Sequence, residues 1–325
     1  MGVAMSRNGK PLGSVTIDVD GIGCYRAIHG LPQKPQGTDP IYERALPRFL
    51  DICRAENIQS TLFVVAKDLE QPLQADCIRR ASEEGHEIAS HSYRHAYDLS
   101  LQSPASIEAD LRRANELITE VTGKKPVGFR APGYNLSEDL VDVLDALEFR
   151  YDSSLFPAPL YFSARALAIA LYQLRGRPSQ SLTGDIREFL ALQTPFKPSQ
   201  RQRFRPARKG ETARGFWEIP MSVATPFRLP WIGTTIALSP DWLGRALTRF
   251  VMRSKQPAIL ELHAIDFASH HDGYEPALID AQPDLKVPIA PKLRRLARTI
   301  GTISKRRDVL TLEEIAARHE HSQGA

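Results

Sequence analysis

The chain has 325 residues, 42% of them hydrophobic, enough to bury a sizeable core in one domain or two. Its 42 basic and 38 acidic residues leave a formal net charge of only +4, a balance that argues against a general nucleic-acid binder. The three cysteines, Cys24, Cys53 and Cys77, are odd in number and form no CxxC pair, which argues against a disulfide framework. Met1 to Gly13 is polar and lacks the apolar core of a secretory signal. No stretch approaches the roughly 20 apolar residues that a membrane span requires. A soluble cytoplasmic protein is therefore expected.

Short β-rich runs alternate with longer helical patterns. Val15 to Val19 reads as the first strand, and Gly21 to Pro40 as a loop rich in glycine and proline near the site. Ile41 to Glu56 places Ala45, Leu46, Phe49, Leu50 and Ile52 close to helical period. Ser60 to Val65 is the second strand, Leu73 to Glu84 a helix stopped by Gly85, and His86 to Ser90 the third strand. Ser103 should cap a long helix that Gly123 ends. Pro126 to Phe129 is the fourth strand, and Ser137 caps a helix whose first turn carries Glu138 and Asp139. Phe149 to Asp152, Trp217 to Pro220 and Ala258 to Leu262 supply the fifth, sixth and seventh strands. Pro240 to Met252, Lys292 to Ile303 and Leu312 to His319 are helical, and Val309 to Thr311 is a short strand. Such alternation predicts a parallel sheet with helices outside, an α/β barrel.

Ala158 to Arg214 interrupts the pattern. Its first part, Tyr161 to Leu174, is an apolar helix. Its second carries Lys197, Arg201, Arg203, Arg205, Arg208, Lys209 and Arg214 among prolines and glutamines. Two readings stay open: a solvated insertion, or an element that meets an anionic lipid surface or a phosphate.

The polar residues of interest fall at the carboxyl ends of predicted strands: Asp18 and Asp20, His91 and His95, Arg130, and His263. In barrel enzymes that end carries the chemistry. Asp18 and Asp20 lie two apart on a strand and face one side. His91 and His95 are four apart, and over one helical turn would share a face and bind one metal ion. Two nitrogens and one carboxylate oxygen leave open positions on Zn²⁺, the arrangement of a catalytic site. The Arg130 guanidinium fork suits a carboxylate. Glu261 points to the same side as His263 and Asp266 follows within a turn, so either could hold the imidazole charged. His86 reads as structural. Trp217, Trp231 and Trp242 read as core, though each could line a sugar site.

In order, Asp18-Val19-Asp20-Gly21, His91-Ser92 to His95, Phe129-Arg130-Ala131-Pro132-Gly133-Tyr134 and Leu262-His263 resemble the motifs of the polysaccharide deacetylase family (the NodB homology domain, carbohydrate esterase family 4). The resemblance runs from about Ser14 to His263. It implies a distorted, incomplete (β/α) barrel of about seven parallel strands. That barrel would be one catalytic domain over residues 1–325, with an insertion at about 158–214. It further implies Asp18 as general base, Arg130 as the residue orienting it, and His263 as the acid that protonates the leaving amine. Asp20, His91 and His95 would hold a divalent metal ion, Zn²⁺ foremost. Pro132, Gly133 and Tyr134 would shape the substrate site, with the Tyr134 backbone N–H helping to bind the oxyanion.

The usual family form has adjacent aspartates, whereas Val19 separates them here, so a swap of the roles of Asp18 and Asp20 stays open. The family's separate carboxylate-tryptophan motif is not clear in this chain, which leaves the partner of His263 open. The implied reaction is metal-dependent hydrolysis of an N-acyl group, acetyl or formyl, from an amino sugar or polysaccharide. Lack of an export signal argues against mature wall polymer. A lipid-linked or nucleotide-linked sugar, handled by a protein peripheral to the inner membrane, is the alternative substrate. An amidase on a small amide and a non-catalytic carbohydrate-binding relative are the rival readings.

Overall fold

A strand covered on both faces is built of residues that avoid water along its whole length, and β1 (Leu12–Val19) is buried at every position. The computed structural model describes residues 9–33, 39–174, 185, 187–188 and 191–323. After β1 come α1 (Ile22–Ile28), α2 (Leu46–Glu56), β2 (Thr61–Val64), α3 (Pro72–Glu83), β3 (Glu87–Ser90), α4 (Pro104–Thr122), β4 (Gly128–Phe129), α5 (Glu138–Ala146) and β5 (Tyr151–Asp152). Then follow α6 (Pro159–Leu174), a hairpin of β6 (Pro198–Ser199) and β7 (Gln202–Pro206), β8 (Trp217–Glu218), and a second hairpin of β9 (Val223–Ala224) and β10 (Leu229–Pro230). The chain finishes with α7 (Gly233–Leu238), α8 (Asp241–Arg253), β11 (Ala258–His263), α9 (Pro276–Ala281), α10 (Pro283–Lys286), α11 (Ile289–Arg306), β12 (Asp308–Val309) and α12 (Leu312–Gln323).

The main sheet runs β11-β1-β2-β3-β4-β5-β8, with every neighbouring pair parallel, and β12 adds to the start of β1. These seven strands curl until the two edges meet. Just past β8, the Ser222 N–H donates to Ile259 O at 3.0 Å, and Ser222 Oγ accepts from the Ile259 N–H at 2.9 Å. This is the parallel barrel expected from the alternation, with the distortion that the family resemblance implies. Strand pleating sorts its residues. Val15, Ile17, Val19, Leu62 and Leu260 pack outward with Leu46 and Phe49 of α2 and Leu296 and Ile300 of α11. Phe63, Ala89, Tyr151, Trp217 and Ile259 fill the interior with Leu312 and Ile315 of α12. The same alternation leaves Thr16, Asp18, Glu261 and His263 inside.

The helix boundaries follow their caps. Ser103 Oγ accepts from the Ser106 N–H, Gly123 ends α4 at φ 73°, and Ser137 Oγ accepts from the Leu140 N–H. Two local expectations fail. The segment after Asp20 is not all loop, because α1 begins at Ile22. His91 to His95 is not a helical turn. Ser92 and His95 take left-handed φ values of 66° and 53°, and Ser92 Oγ accepts from the His95 N–H at 3.0 Å. A hydroxyl-capped tight turn, not the i,i+4 face of a helix, turns the second imidazole back to the first.

In the insertion, α6 takes the place of the apolar helix. Four of the seven bases in the run that follows are paired within the chain. Arg203 pairs with Glu138 at 2.8 Å and Asp185 at 3.1 Å, Arg205 with Glu211 at 2.6 Å, Lys197 with Glu320 at 2.9 Å, and Arg214 with Asp142. Those four bases are committed to internal partners, so an anionic surface gains little from them.

Candidate active site

Parallel register brings the ends of the chain's two outermost motifs together. Pairing of β1 with β11 sets Asp18 opposite His263, and β2 on the other side sets Phe63 beside Asp18. Asp20 follows β1 directly, and the turn after β3 delivers both imidazoles. Asp20 Oδ1 lies 3.5 Å from His91 Nε2 and 3.4 Å from His95 Nε2, all three side chains being buried. His91 Nδ1 is 2.7 Å from Arg130 O, which fixes Nδ1 as the protonated nitrogen and turns Nε2 toward Asp20. Burial keeps both imidazoles below the ordinary histidine range, His95 to about 4, so both stay neutral with a lone pair to offer.

Arg130, fully buried, leaves β4 and spans the barrel. Its Nη1 donates to Asp18 Oδ1 at 2.6 Å, Nε to Ser153 O at 2.9 Å, and Nη2 to Thr16 Oγ1 and Ser153 Oγ, each at 3.1 Å. Its guanidinium stacks 4.0 Å from the Phe63 ring centroid. Burial alone would raise the Asp18 carboxyl, but the Arg130 guanidinium, with His91 and His263, holds it below the usual carboxylate range. One oxygen of Asp18 is thus anchored. The other, Oδ2, has no hydrogen-bond partner among the described residues and lies 3.9 Å from His91 Nε2.

His263 takes Glu261 as its partner. Glu261 Oε1 lies 2.8 Å from His263 Nδ1, two residues back on the same face of β11. Asp266 instead accepts the His263 backbone N–H at 2.9 Å and caps the following turn. Burial disfavours a charged imidazole, yet Glu261, with Asp18 and Asp20, raises the His263 pKa well above the ordinary value. Its Nε2 sits 4.0 Å from Asp20 Oδ2 and 3.5 Å from the Tyr134 hydroxyl.

These groups open into a cavity of about 210 Å³. Pro132, Gly133 and Tyr134 form a 3₁₀ turn, with Gly133 at φ 59° and Tyr134 at φ 65°; Gly133 and Tyr134 line the cavity, whereas Pro132, expected beside them, does not. The Tyr134 N–H donates to Ala131 O at 2.8 Å, so this turn spends the donor that was expected to meet the oxyanion. Tyr134 faces the cavity with its phenol instead. Sequence reasoning missed Tyr25, Tyr97, Tyr161 and Arg165 among the lining residues. Only Tyr97, two residues past His95, carries a local hint. Tyr161 and Arg165 come from α6, and the Arg165 guanidinium donates to Gly133 O at 2.8 Å. None of the three tryptophans lines the cavity: Trp217 and Trp231 are buried in the core, and Trp242 is exposed.

The residues fit a divalent cation. Buried polar atoms are nearly always partnered, but Asp18 Oδ2 and Asp20 Oδ1 have no hydrogen-bond partner among the described residues. Two bonds of about 2.1 Å at a tetrahedral angle span roughly 3.4 Å, which is the spacing found between Asp20 Oδ1 and each imidazole.

Fold and site together define a class: a curled parallel barrel with an aspartate and two histidines converging at its carboxyl mouth, between an arginine-held carboxylate and a carboxylate-held histidine. Residues 38–151 match the family model described as polysaccharide deacetylase. The chain is 36% identical over 105 residues to a peptidoglycan deacetylase-like protein of Gibberella zeae, covering 31% of this chain and 30% of that protein. It is 25% identical over 142 residues to a peptidoglycan deacetylase of Helicobacter pylori, covering 43% and 47%. The matches thus span less than half the length of these curated relatives. Among solved structures, a Mycobacterium smegmatis chain superposes with TM-score 0.61 at 18% identity, covering 100% of this chain and 95% of that one. A probable polysaccharide deacetylase from Pseudomonas aeruginosa does so with TM-score 0.59 at 17% identity, covering 98% and 94%. The resemblance to the polysaccharide deacetylase family read from the motifs is shown by these matches, and the superpositions show the fold.

Proposed function

We propose that the chain is a metal-dependent amidohydrolase, one catalytic unit with an insertion at about 158–214, that removes an N-acyl group, acetyl foremost, from an amino sugar or glycan. One observation carries the reading: Asp20 Oδ1 stands within 3.5 Å of both imidazole Nε2 atoms. Asp20, His91 and His95 would hold the cation, Zn²⁺ by its donor set, and such a cation supplies the charge that polarises an acyl carbonyl and acidifies water. Asp18, anchored by Arg130 through one oxygen, offers Oδ2 to take the proton of the attacking water. That water forms the new C–O bond. His263, held charged by Glu261, gives its Nε2 proton to the nitrogen as the C–N bond breaks. The products are a free amine and acetate, or formate from a formyl substrate. The Tyr134 hydroxyl, beside His263, can donate to the developing oxyanion or to a sugar hydroxyl. Tyr25, Tyr97 and Tyr161 supply the aromatic walls against which a sugar ring stacks.

The test is metal analysis of the purified protein together with a screen of N-acetyl and N-formyl amino sugars, free, polymeric and lipid-linked. One bound divalent ion and amine release that Asp20→Asn abolishes are expected. Release that persists in a metal-free Asp20→Asn protein would remove the mechanism.

A second reading concerns the substrate's carrier. Leu160, Leu167 and Leu174 recur every seven residues on α6, form one stripe, and are 56%, 62% and 83% exposed. Tyr161 and Arg165 of the same helix line the cavity. A helix with an apolar outer stripe above a sugar-sized site suits a cytoplasmic protein seated on the inner membrane, acting on a lipid-linked sugar. No described helix is long and apolar enough to cross a membrane. Vesicle flotation tests the idea. Because four of the seven neighbouring bases, Lys197, Arg203, Arg205 and Arg214, are paired internally, binding should largely survive raised salt and fall when all three leucines become glutamine. No flotation of the unaltered protein would leave the soluble-glycan reading alone.

A further inference from the structure

Arg165 stands on the cavity wall, and the mechanism above gives it no chemical task. It reaches the site from α6, in the insertion, and close contacts set its place. Its Nη1 donates to Gly133 O at 2.8 Å. A Cβ on Gly133 would come within 2.8 Å of Arg165 Nη2 and 3.1 Å of Tyr97 Cδ1, so the guanidinium lies over the bare glycine, beside Tyr97. The Tyr97 ring packs edge-on against His95, with centroids 4.7 Å apart. One aromatic ring thus separates the guanidinium from a proposed metal ligand, and both line the same cavity. The charges around that cavity do not cancel. Asp18 and Asp20 offset a divalent ion, and Glu261 offsets His263. Arg130 and Arg165 add positive charge to that balance. Arg130 is sealed behind Asp18 at 0% exposure, so Arg165 is the arginine that a bound molecule meets. Glu188, a carboxyl within electrostatic reach of Arg165, is pushed by burial to about 8 and is mostly neutral at pH 7.

We propose that Arg165 is a specificity-determining residue that binds an anionic group, a phosphate or a carboxylate, carried by the amino sugar. The proposal rests on the amidohydrolase reading above and narrows its substrate class to acidic amino sugars. The physical reason is the fork. A guanidinium presents planar N–H donors that match two oxygens of a phosphate or carboxylate at once, and a charge-assisted pair of that kind is stronger than a bond to a neutral hydroxyl. The N-acyl end of such a sugar faces the cation and His263, and its anion lies toward α6. The anion has three chemical sources: a phosphate link to a carrier, a phosphate on a ring hydroxyl, or the carboxylate of an ether side chain.

Calorimetric binding to the full chain separates these sources. The probes are N-acetylglucosamine, its 1-phosphate, its 6-phosphate and N-acetylmuramic acid. At least one anionic probe should bind roughly tenfold or more tighter than the neutral sugar, the ordinary worth of a charge-assisted pair, and the favoured probe identifies the source. The preference should persist after the metal is stripped with chelator, because it belongs to the guanidinium. It should collapse toward unity in Arg165→Gln and survive in part in Arg165→Lys, which keeps the charge and loses the fork. The favoured probe should also shield Arg165 from phenylglyoxal better than the neutral sugar does, read by peptide mass. That measurement needs no variant and stands if Arg165→Gln fails to fold. Equal affinity for neutral and anionic probes, a preference that vanishes with the metal, or one undiminished in folded Arg165→Gln would overturn the proposal and leave the amidohydrolase reading intact. Amine release from no sugar, with the anionic preference present, would sink that reading and leave the arginine site.

Discussion

Arg130→Met isolates the buried pair on which the general base depends. The guanidinium is fully enclosed, and its loss strands the Asp18 carboxylate, 1% exposed, together with the Ser153 and Thr16 oxygens it now reaches. Removing one partner of a buried ion pair costs about 3–5 kcal/mol, and methionine recovers only part of the stacking on Phe63. Against a typical total of about 5–15 kcal/mol, that is a large fraction. With a urea slope of about 3 kcal/mol per molar, the denaturation midpoint should fall by about 1–1.7 M in chelator-treated protein. Neutralising the stranded acid should undo much of this, so Asp18→Asn combined with Arg130→Met should recover at least half of the loss. The pH dependence carries a sign. In the native protein the Asp18 pKa lies below its unfolded value of about 3.9. Its contribution is therefore present above that pH and is lost as pH falls through the folded value. Without Arg130, burial raises the folded pKa above the unfolded one, so the penalty should grow from about pH 4 toward pH 7. A penalty under about 1 kcal/mol at pH 7, or a double variant no more stable than Arg130→Met alone, would refute the reasoning.

Three further outcomes are expected. Asp18→Asn should keep its metal and lose about 10²–10⁴-fold in turnover, whereas Asp20→Asn should lose the metal; the reverse pattern, by metal analysis and kinetics, would exchange their roles. Glu261→Gln removes the carboxylate that raises the His263 pKa. Since His263 donates while protonated, turnover fails as pH rises through that pKa, and the alkaline limb of the pH–rate profile should move to lower pH in the variant. An unmoved limb would mean that Glu261 does not tune His263. Gly128→Ala would place a Cβ 1.9 Å from Tyr151 Cζ. Overpacking of this kind costs about 1–3 kcal/mol or more, so thermal unfolding should start several degrees lower, and an unchanged midpoint would show that the ring yields freely.

Much of this molecule was legible in one dimension because the rules involved are short-ranged. Short apolar runs mark the seven strands of the main sheet, β1 to β5, β8 and β11, whereas the two hairpins β6–β7 and β9–β10 were not read from the sequence. Ser103, Gly123 and Ser137 mark helix ends because a cap needs only three or four residues to close. The motif order fixed which side chains stand at strand ends, and strand alternation put Glu261 on the face of His263. Distances were another matter. Which carboxylate serves His263 depends on where β11 stops and the Ala264–Phe267 turn begins, and that geometry sends Asp266 to a backbone N–H instead. The imidazoles meet through two left-handed residues that no periodicity announces. The charge run near residue 200 left open a solvated insertion or an anion-binding element, and folding supplied Glu138, Asp142, Asp185, Glu211 and Glu320 as partners for four of its bases. Sequence alone determined the strands, their order of chemistry and the donor types, since each follows from neighbours within a few residues. Tertiary structure alone decided register, partner and reach, since those depend on how a closed set of strands packs around one interior and so on residues far apart in the chain.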